Sequence, residues 1–191
     1  MPALSALQVR KFTTLFQHYD RAHSQFLELS DFLSFADHVA RLSAWFDHDA
    51  HLAQKKLSVL RQSKQEAFFR LLTVADSNQD ARISLPEYLE YFRRQSLECK
   101  NMGVAAPWVK QSCHDMILLA DDNASNTLTL NEYQKWLLAM GSNADAAKVF
   151  AILDQDGDGE LSLPDLEKLA LEFVISDDPN AAGNLLFCGK F

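Results

Sequence analysis

The sequence predicts an all-α protein of four helix–loop–helix units, joined as two paired lobes into one compact body. Three observations predict it. One short shape recurs four times: LELSD at 27–31, ISLPE at 83–87, LTLNE at 128–132 and LSLPD at 161–165. Each copy is flanked by apolar residues four apart, which is one face of an amphipathic helix. Breakers at Gly103 and Pro107 divide the four copies into two pairs.

Taken in order, Phe12 and Phe16 give the first helix its apolar face, and a loop follows at 20–31. Phe32 and Ala36 open the next helix. Its pattern runs from Ser30 to Phe46, pauses at DHDAH (47–51) and resumes from Leu52 to Ala75. Phe68 and Leu72 precede a loop at 76–87, and Tyr88 and Phe92 follow it. Ile117 precedes a loop at 121–132, with Tyr133 and Leu137 after it. Gly141, Ser142 and Asn143 form a tight turn. Phe150 precedes the loop at 154–165, with Leu166 and Ala170 after it. Pro86 and Pro164 stand in the first turn of outgoing helices, where a missing N–H costs nothing. The expected divisions are 1–99 for the first pair, 100–107 for a linker, 108–175 for the second pair and 176–191 for a tail. Leu185, Leu186 and Phe187 are expected to dock that tail on the body.

The loops carry the chemistry. DQDGDGELSLPD (154–165) holds five acids in twelve residues. Carboxylates about 4 Å apart repel by roughly 4 kcal/mol near a protein surface, so the stretch needs solvent or a cation. Its spacing selects the cation. Asp154, Asp156, Asp158 and Asp165 fall at loop positions 1, 3, 5 and 12, with Gly159 at position 6. That is the register of the EF-hand calcium loop, in which position 7, here Glu160, gives its backbone carbonyl. EF-hands pair through position 8, so Leu27 with Ile83 and Leu128 with Leu161 are expected to form antiparallel bridges.

The four loops are unequal. DRAHSQFLELSD (20–31) keeps Asp20 and Asp31 but has Ala22 at position 3, Ser24 at position 5 and Gln25 at position 6. It is expected not to bind. In DSNQDARISLPE (76–87), Asp76, Asn78, Asp80 and Glu87 give side chains and Arg82 its carbonyl. Ala81 at the left-handed position 6 is expected to weaken binding by about tenfold, from a strain of roughly 1–2 kcal/mol. In DDNASNTLTLNE (121–132), Asp121, Asn123, Ser125 and Glu132 give side chains and Thr127 its carbonyl, while Asn126 replaces the turn glycine. In the last loop Asp165 is one methylene shorter than glutamate. It favours six oxygen ligands, the geometry magnesium demands, so magnesium is expected at 154–165 beside calcium.

The tail SDDPNAAGNLLFCGKF (176–191), with the four-loop order, resembles the invertebrate sarcoplasmic calcium-binding proteins and their bacterial relative calerythrin. The resemblance covers nearly the whole chain. It implies a two-lobed helical buffer of calcium and magnesium, with metal at Asp121–Glu132 and Asp154–Asp165. In that family the second loop is commonly the defective one; here the first has lost more ligands. Calexcitin, coelenterazine-binding proteins and photoproteins share the four-loop shape, and the latter two enclose a small apolar ligand between the lobes. Trp45, Trp108, Trp136, Tyr133 and His114 could line such a cavity, but a filled core is the expectation. The ending Lys190–Phe191 lacks the terminal proline of photoproteins.

Other signals narrow the function. At 191 residues and net charge −8, the chain is globular and a poor electrostatic partner for nucleic acid or anionic membranes. No apolar run approaches the roughly 18 residues of a membrane helix, and no secretory signal is visible. Cys99, Cys113 and Cys188 read as free thiols of a cytoplasmic protein. The DHDAH stretch has too few imidazoles for zinc. Cys113, His114 and Asp115 are neighbours on a helix and cannot form a catalytic triad, so no enzyme is expected. The leading expectation is a monomeric calcium buffer with three working loops. The alternatives are a calcium sensor with a protein partner and a carrier of a small apolar ligand. Met1, Met102, Met116 and Met140 do not cluster, which disfavours a sensor groove.

Overall fold

Helix α1 (Ala6–Tyr19) starts where Ser5 and Gln8 cap one another, Gln8 N donating to Ser5 Oγ and Ser5 N to Gln8 Oε1, both at 3.1 Å. The structure is a computed structural model that describes residues 3–42 and 50–189. After α1 come strand β1 (Phe26–Leu27), α2 (Leu29–Leu42), α3 (Ala50–Ala75), β2 (Ile83–Ser84) and α4 (Leu85–Met102). The second half comprises α5 (Pro107–Ala120), β3 (Thr127–Thr129), α6 (Leu130–Ala139), α7 (Ala146–Leu153), β4 (Glu160–Ser162), α8 (Leu163–Ile175) and a 3-10 turn (Ala182–Leu185).

The predicted bridges form. Leu27 faces Ile83 and Leu128 faces Leu161 in two short antiparallel ladders, and all four side chains are fully buried. Two boundaries differ from the sequence pattern. Helix α3 begins at Ala50, so Ala50 and His51 of the DHDAH stretch are helical. Its remaining residues 47–49, with Trp45, lie outside the described residues. Helix α4 runs through Met102 and ends on left-handed Gly103 (φ 66°), so Lys100–Met102, assigned to a linker, continue a helix instead. The breakers Gly103 and Pro107 still mark the junction, because one ends α4 and the other opens α5.

Aromatic contacts join the first half to the second. Phe12 stacks on Phe92 with ring centroids 4.4 Å apart and meets Phe173 edge-on at 6.0 Å, joining α1, α4 and α8. Helix α1 packs on α4, α4 and α5 pack on α8, and α3 packs on α5. The apolar residues after the loops, from Phe32 and Ala36 to Leu166 and Ala170, are all buried.

Polar groups fasten the same junction. The last turn of a helix leaves carbonyls without intrahelical donors. At the end of α8, α1 supplies those donors. Lys11 Nζ donates to Phe173 O (2.6 Å), Ser176 O (3.0 Å) and Asn184 Oδ1 (2.9 Å), and Gln8 Nε2 to Val174 O (3.1 Å). Lys11 is completely buried, and burial lowers its pKa to about 8 against the attraction of Asp177 and Glu172. The tail crosses the second half. Tyr133 Oη donates to Leu186 O (3.0 Å), Ser142 Oγ to Cys188 O (2.6 Å) and Gly183 N to Glu172 Oε2 (2.6 Å). Leu186 and Phe187 are buried, and Phe187 meets Phe173 edge-on.

The core is not filled throughout. A cavity of about 510 Å³ opens between α3, α4, α5 and α6, with Trp108 and Trp136 in its wall. Tyr133 and His114 do not line it: Tyr133 turns to the tail and His114 faces solvent. All three cysteines are buried, and none forms a disulfide among the described residues.

Candidate metal centre

Each loop is folded around its first aspartate. One carboxylate oxygen of that residue accepts the N–H of position 6 in all four loops. The distances are 2.8 Å from Gln25 to Asp20, 3.0 Å from Ala81 to Asp76, 2.9 Å from Asn126 to Asp121 and 3.0 Å from Gly159 to Asp154. The other oxygen accepts from position 5 in the first three loops, Ser24, Asp80 and Ser125, and from Gly157 at position 4 in the last. This nest of amides fixes the turn and holds the carboxylate toward the loop centre.

Position 6 is left-handed throughout: Gln25 (φ 69°), Ala81 (63°), Asn126 (63°) and Gly159 (86°). Position 4 is left-handed too, at His23 (54°), Gln79 (60°), Ala124 (58°) and Gly157 (74°). The sequence reading missed this second turn. Only the last loop signals it, by placing glycine at both positions.

Position 12 does two jobs. It ends the expected ligand register, and it is the third residue of the outgoing helix, where it caps position 9. Ser84 N and Oγ donate to Glu87 Oε2 at 3.0 and 2.7 Å, and Thr129 N and Oγ1 to Glu132 Oε2 at 2.8 and 2.7 Å. The second oxygen of each glutamate crosses the loop to position 2. Glu87 Oε1 accepts from Ser77 N (3.1 Å) and Oγ (2.9 Å), and Glu132 Oε1 from Asp122 N (3.0 Å). Burial would raise the Glu87 pKa, but the hydrogen bonds from Ser84 and Ser77 override it and hold the carboxyl down at about 2. Asp165 accepts only from Ser162 among the described residues, through its backbone N (3.0 Å) and its hydroxyl. Its shorter arm does not cross.

The donor set suits a hard divalent cation. In the last loop, carboxylate oxygens of Asp154, Asp156 and Asp158 lie within 4.8 Å of one another. None of the three pairs with a lysine or arginine among the described residues. In the third loop Asp121 and Glu132 are buried, only 8% and 4% exposed. Buried carboxylates without a cationic partner are costly, and a bound cation removes that cost. Asn123 Oδ1 and Ser125 stand beside them, Asn123 accepting from Ser125 N at 2.8 Å.

The second loop carries a competitor. Arg82, read from sequence as a carbonyl donor, also sends its guanidinium back to Asp80 at 3.4 Å and lays it 4.5 Å from the centre of the Phe26 ring. Asn78 Nδ2 reaches Asp80 Oδ2 at 3.2 Å. The first loop has a different substitute. The Ser24 hydroxyl bonds both Asp20 Oδ1 (3.3 Å) and the position-7 carbonyl of Phe26 (2.9 Å), so a proton donor joins two atoms that would bind a metal. Burial, with the nearby charges of Asp20 and Glu28, raises the Asp31 pKa against the Glu28 N–H that lowers it. Asp115, weighed from sequence only as a triad letter, forms a buried ion pair with Lys64 at 2.7 Å.

No family model matches the chain. A curated relative, calerythrin from Saccharopolyspora erythraea, is 28% identical over 162 residues, covering 83% of this chain and 86% of its own. A sarcoplasmic calcium-binding protein from amphioxus superposes with a TM-score of 0.78 at 21% identity, over 99% of this chain and 100% of that one. A calcium-binding protein from Streptomyces coelicolor superposes at 0.67 with 19% identity, over 87% and 97%. The chain is thus similar in sequence to calerythrin and shares the fold of the sarcoplasmic and Streptomyces calcium-binding proteins.

Proposed function

We propose that the chain binds calcium at 76–87, 121–132 and 154–165 and works as a cytoplasmic calcium buffer. The ligands are Asp76, Asn78, Asp80, Arg82 O and Glu87; Asp121, Asn123, Ser125, Thr127 O and Glu132; and Asp154, Asp156, Asp158, Glu160 O and Asp165. One observation carries the reading: the converging carboxylates of Asp154, Asp156 and Asp158, within 4.8 Å in a loop already turned for a metal. Calorimetry tests it. Calcium titration should give three sites, and Asp76→Ala, Asp121→Ala and Asp154→Ala should each remove one. An absence of binding at millimolar calcium, with a melting point indifferent to chelator, would overturn the proposal.

The single-ended Asp165 supports magnesium at 154–165, in exchange with calcium. Millimolar magnesium should lower the apparent calcium affinity of that loop and leave 121–132 nearly unchanged. An equal effect at both loops would contradict the assignment.

A buffer is favoured over a sensor because the fastenings between the halves would have to break for a groove to open. Met116 and Met140 are buried and Met102 stands apart from them. A compact chain of this length has a radius of gyration of about 16 Å. Small-angle scattering should find that size with and without calcium, whereas a sensor would expand on binding.

A further inference from the structure

We infer that Phe26 of the first loop holds Arg82 in the second loop as a built-in cation, so that a loop expected to bind no metal sets the calcium affinity of its partner. This role rests on the calcium reading of 76–87. Loop position 7 is Phe26, Arg82, Thr127 and Glu160 in the four loops, and the second alone places a cation there.

The ladder brings ring and cation together. Phe26 pairs with Ser84. Arg82, two residues earlier on the same face, is the diagonal neighbour of Phe26, at a separation that aromatic and long side chains can span. The guanidinium lies 4.5 Å from the ring centroid while its Nη2 stands 3.4 Å from Asp80 Oδ2. Asp80 is the position-5 residue expected to face the ion. Its Oδ1 accepts from Arg82 N at 3.0 Å, and its Oδ2 accepts from Asn78 Nδ2 at 3.2 Å besides the guanidinium. A calcium ion has to part the guanidinium from Asp80 and repels it at short range. The ring stabilises the guanidinium beside Asp80 and so opposes that exchange.

The first loop presents the ring without a metal. The Ser24 hydroxyl accepts from Phe26 N (3.2 Å) and donates to Phe26 O (2.9 Å), while Ser24 N donates to Asp20 Oδ1 (2.8 Å). Leu27, the next residue, is fully buried opposite Ile83. Phe26 is thereby fixed at both of its backbone groups whatever the calcium concentration. The ligands lost at Ala22 and Ser24 are no obstacle to this role, because it uses the ring of position 7 and not the metal centre.

Calcium calorimetry on the full chain at low salt, with a double-mutant cycle, tests the inference. Phe26→Leu keeps an apolar strand residue and removes the ring; it should tighten 76–87 about threefold, the scale of a half-exposed cation–π contact. Arg82→Gln should tighten it at least as much. In the Arg82→Gln background Phe26→Leu should change nothing more, since the ring then has no cation to hold. Loops 121–132 and 154–165 should keep parental affinity in every variant. By NMR in chelator, the Arg82 side-chain protons of the parent should be shifted upfield by the Phe26 ring current, and calcium should reduce that shift. Parental affinity in folded Phe26→Leu would overturn this role alone, as would equal tightening by Phe26→Leu with Arg82 present and absent. If Phe26→Leu fails to fold, random-coil Arg82 shifts in chelator would overturn it. A parent in which Asp76→Ala removes no site would overturn the calcium reading of 76–87 and this role together.

Discussion

Ala81 already holds φ 63° around Asp76, so its strain belongs to the fold more than to the binding step. Ala81→Gly should therefore raise stability by up to about 1 kcal/mol, a left-handed gain partly offset by the freer unfolded chain. Thermal unfolding in chelator would show this, with calcium affinity at 76–87 changing less than about threefold. The tenfold affinity loss expected from sequence is thereby reassigned. At the proposed calcium site of this loop, Arg82 is the stronger brake. A unit charge about 8 Å from a divalent ion opposes it by about 1 kcal/mol before screening, so Arg82→Gln should tighten the second loop up to roughly fivefold at low salt. Calorimetry at two salt concentrations checks both magnitude and screening. The twelve-residue loop shape was legible because the turn around its first aspartate is fixed by local spacing. The return of Arg82 to Asp80, the Ser24 substitute and the left-handed position 4 were not, because each depends on how the loop closes on itself.

The end of α8 is a terminus capped by another helix, and its chemistry sets a pH dependence. The pKa of Lys11 is lowered from 10.5 to about 8, so above pH 8 the unfolded chain binds more protons than the native one. Stability attributable to Lys11 therefore rises with pH from about 8 to 10.5, by up to about 3 kcal/mol. Cys113 and Tyr91, pushed up to about 12 by burial, pull the other way. The difference in melting between the parent protein and Lys11→Met, followed across that window, isolates the lysine and should grow in favour of the parent as pH rises. The tail contact is steric. A Cβ on Gly183 would lie 2.3 Å from Leu169 O and 2.9 Å from Phe173 N. Gly183→Ala should cost about 1–3 kcal/mol, a melting shift of roughly 3–10 °C. Helix existence was readable from apolar spacing throughout. The start of α3 was not, since Ala50 and His51 carry no strong periodic signal and helical context decides them.

The joining of the halves was the least legible feature. Apolar faces in the sequence say that each helix buries something, but not which helix it meets. Phe12 reads as core from its spacing alone. That it touches both Phe92 and Phe173, with Lys11 capping α8 one position earlier in the chain, follows only from the tertiary arrangement. The cavity was missed for a related reason, because aromatic residues at helical spacing look the same whether they close on one another or surround a space. The two ladders have a further effect on the proposed calcium response. Loop 76–87 shares its ladder with a loop whose own side chains already satisfy its centre, so its saturation should be graded, with a Hill coefficient near one. Loops 121–132 and 154–165 share the other, so the first ion to arrive can prearrange its neighbour. Domain-resolved NMR titration should therefore show a shallow curve for the N-terminal pair and a steeper one for the C-terminal pair, giving one chain two different sensitivities to the same ion.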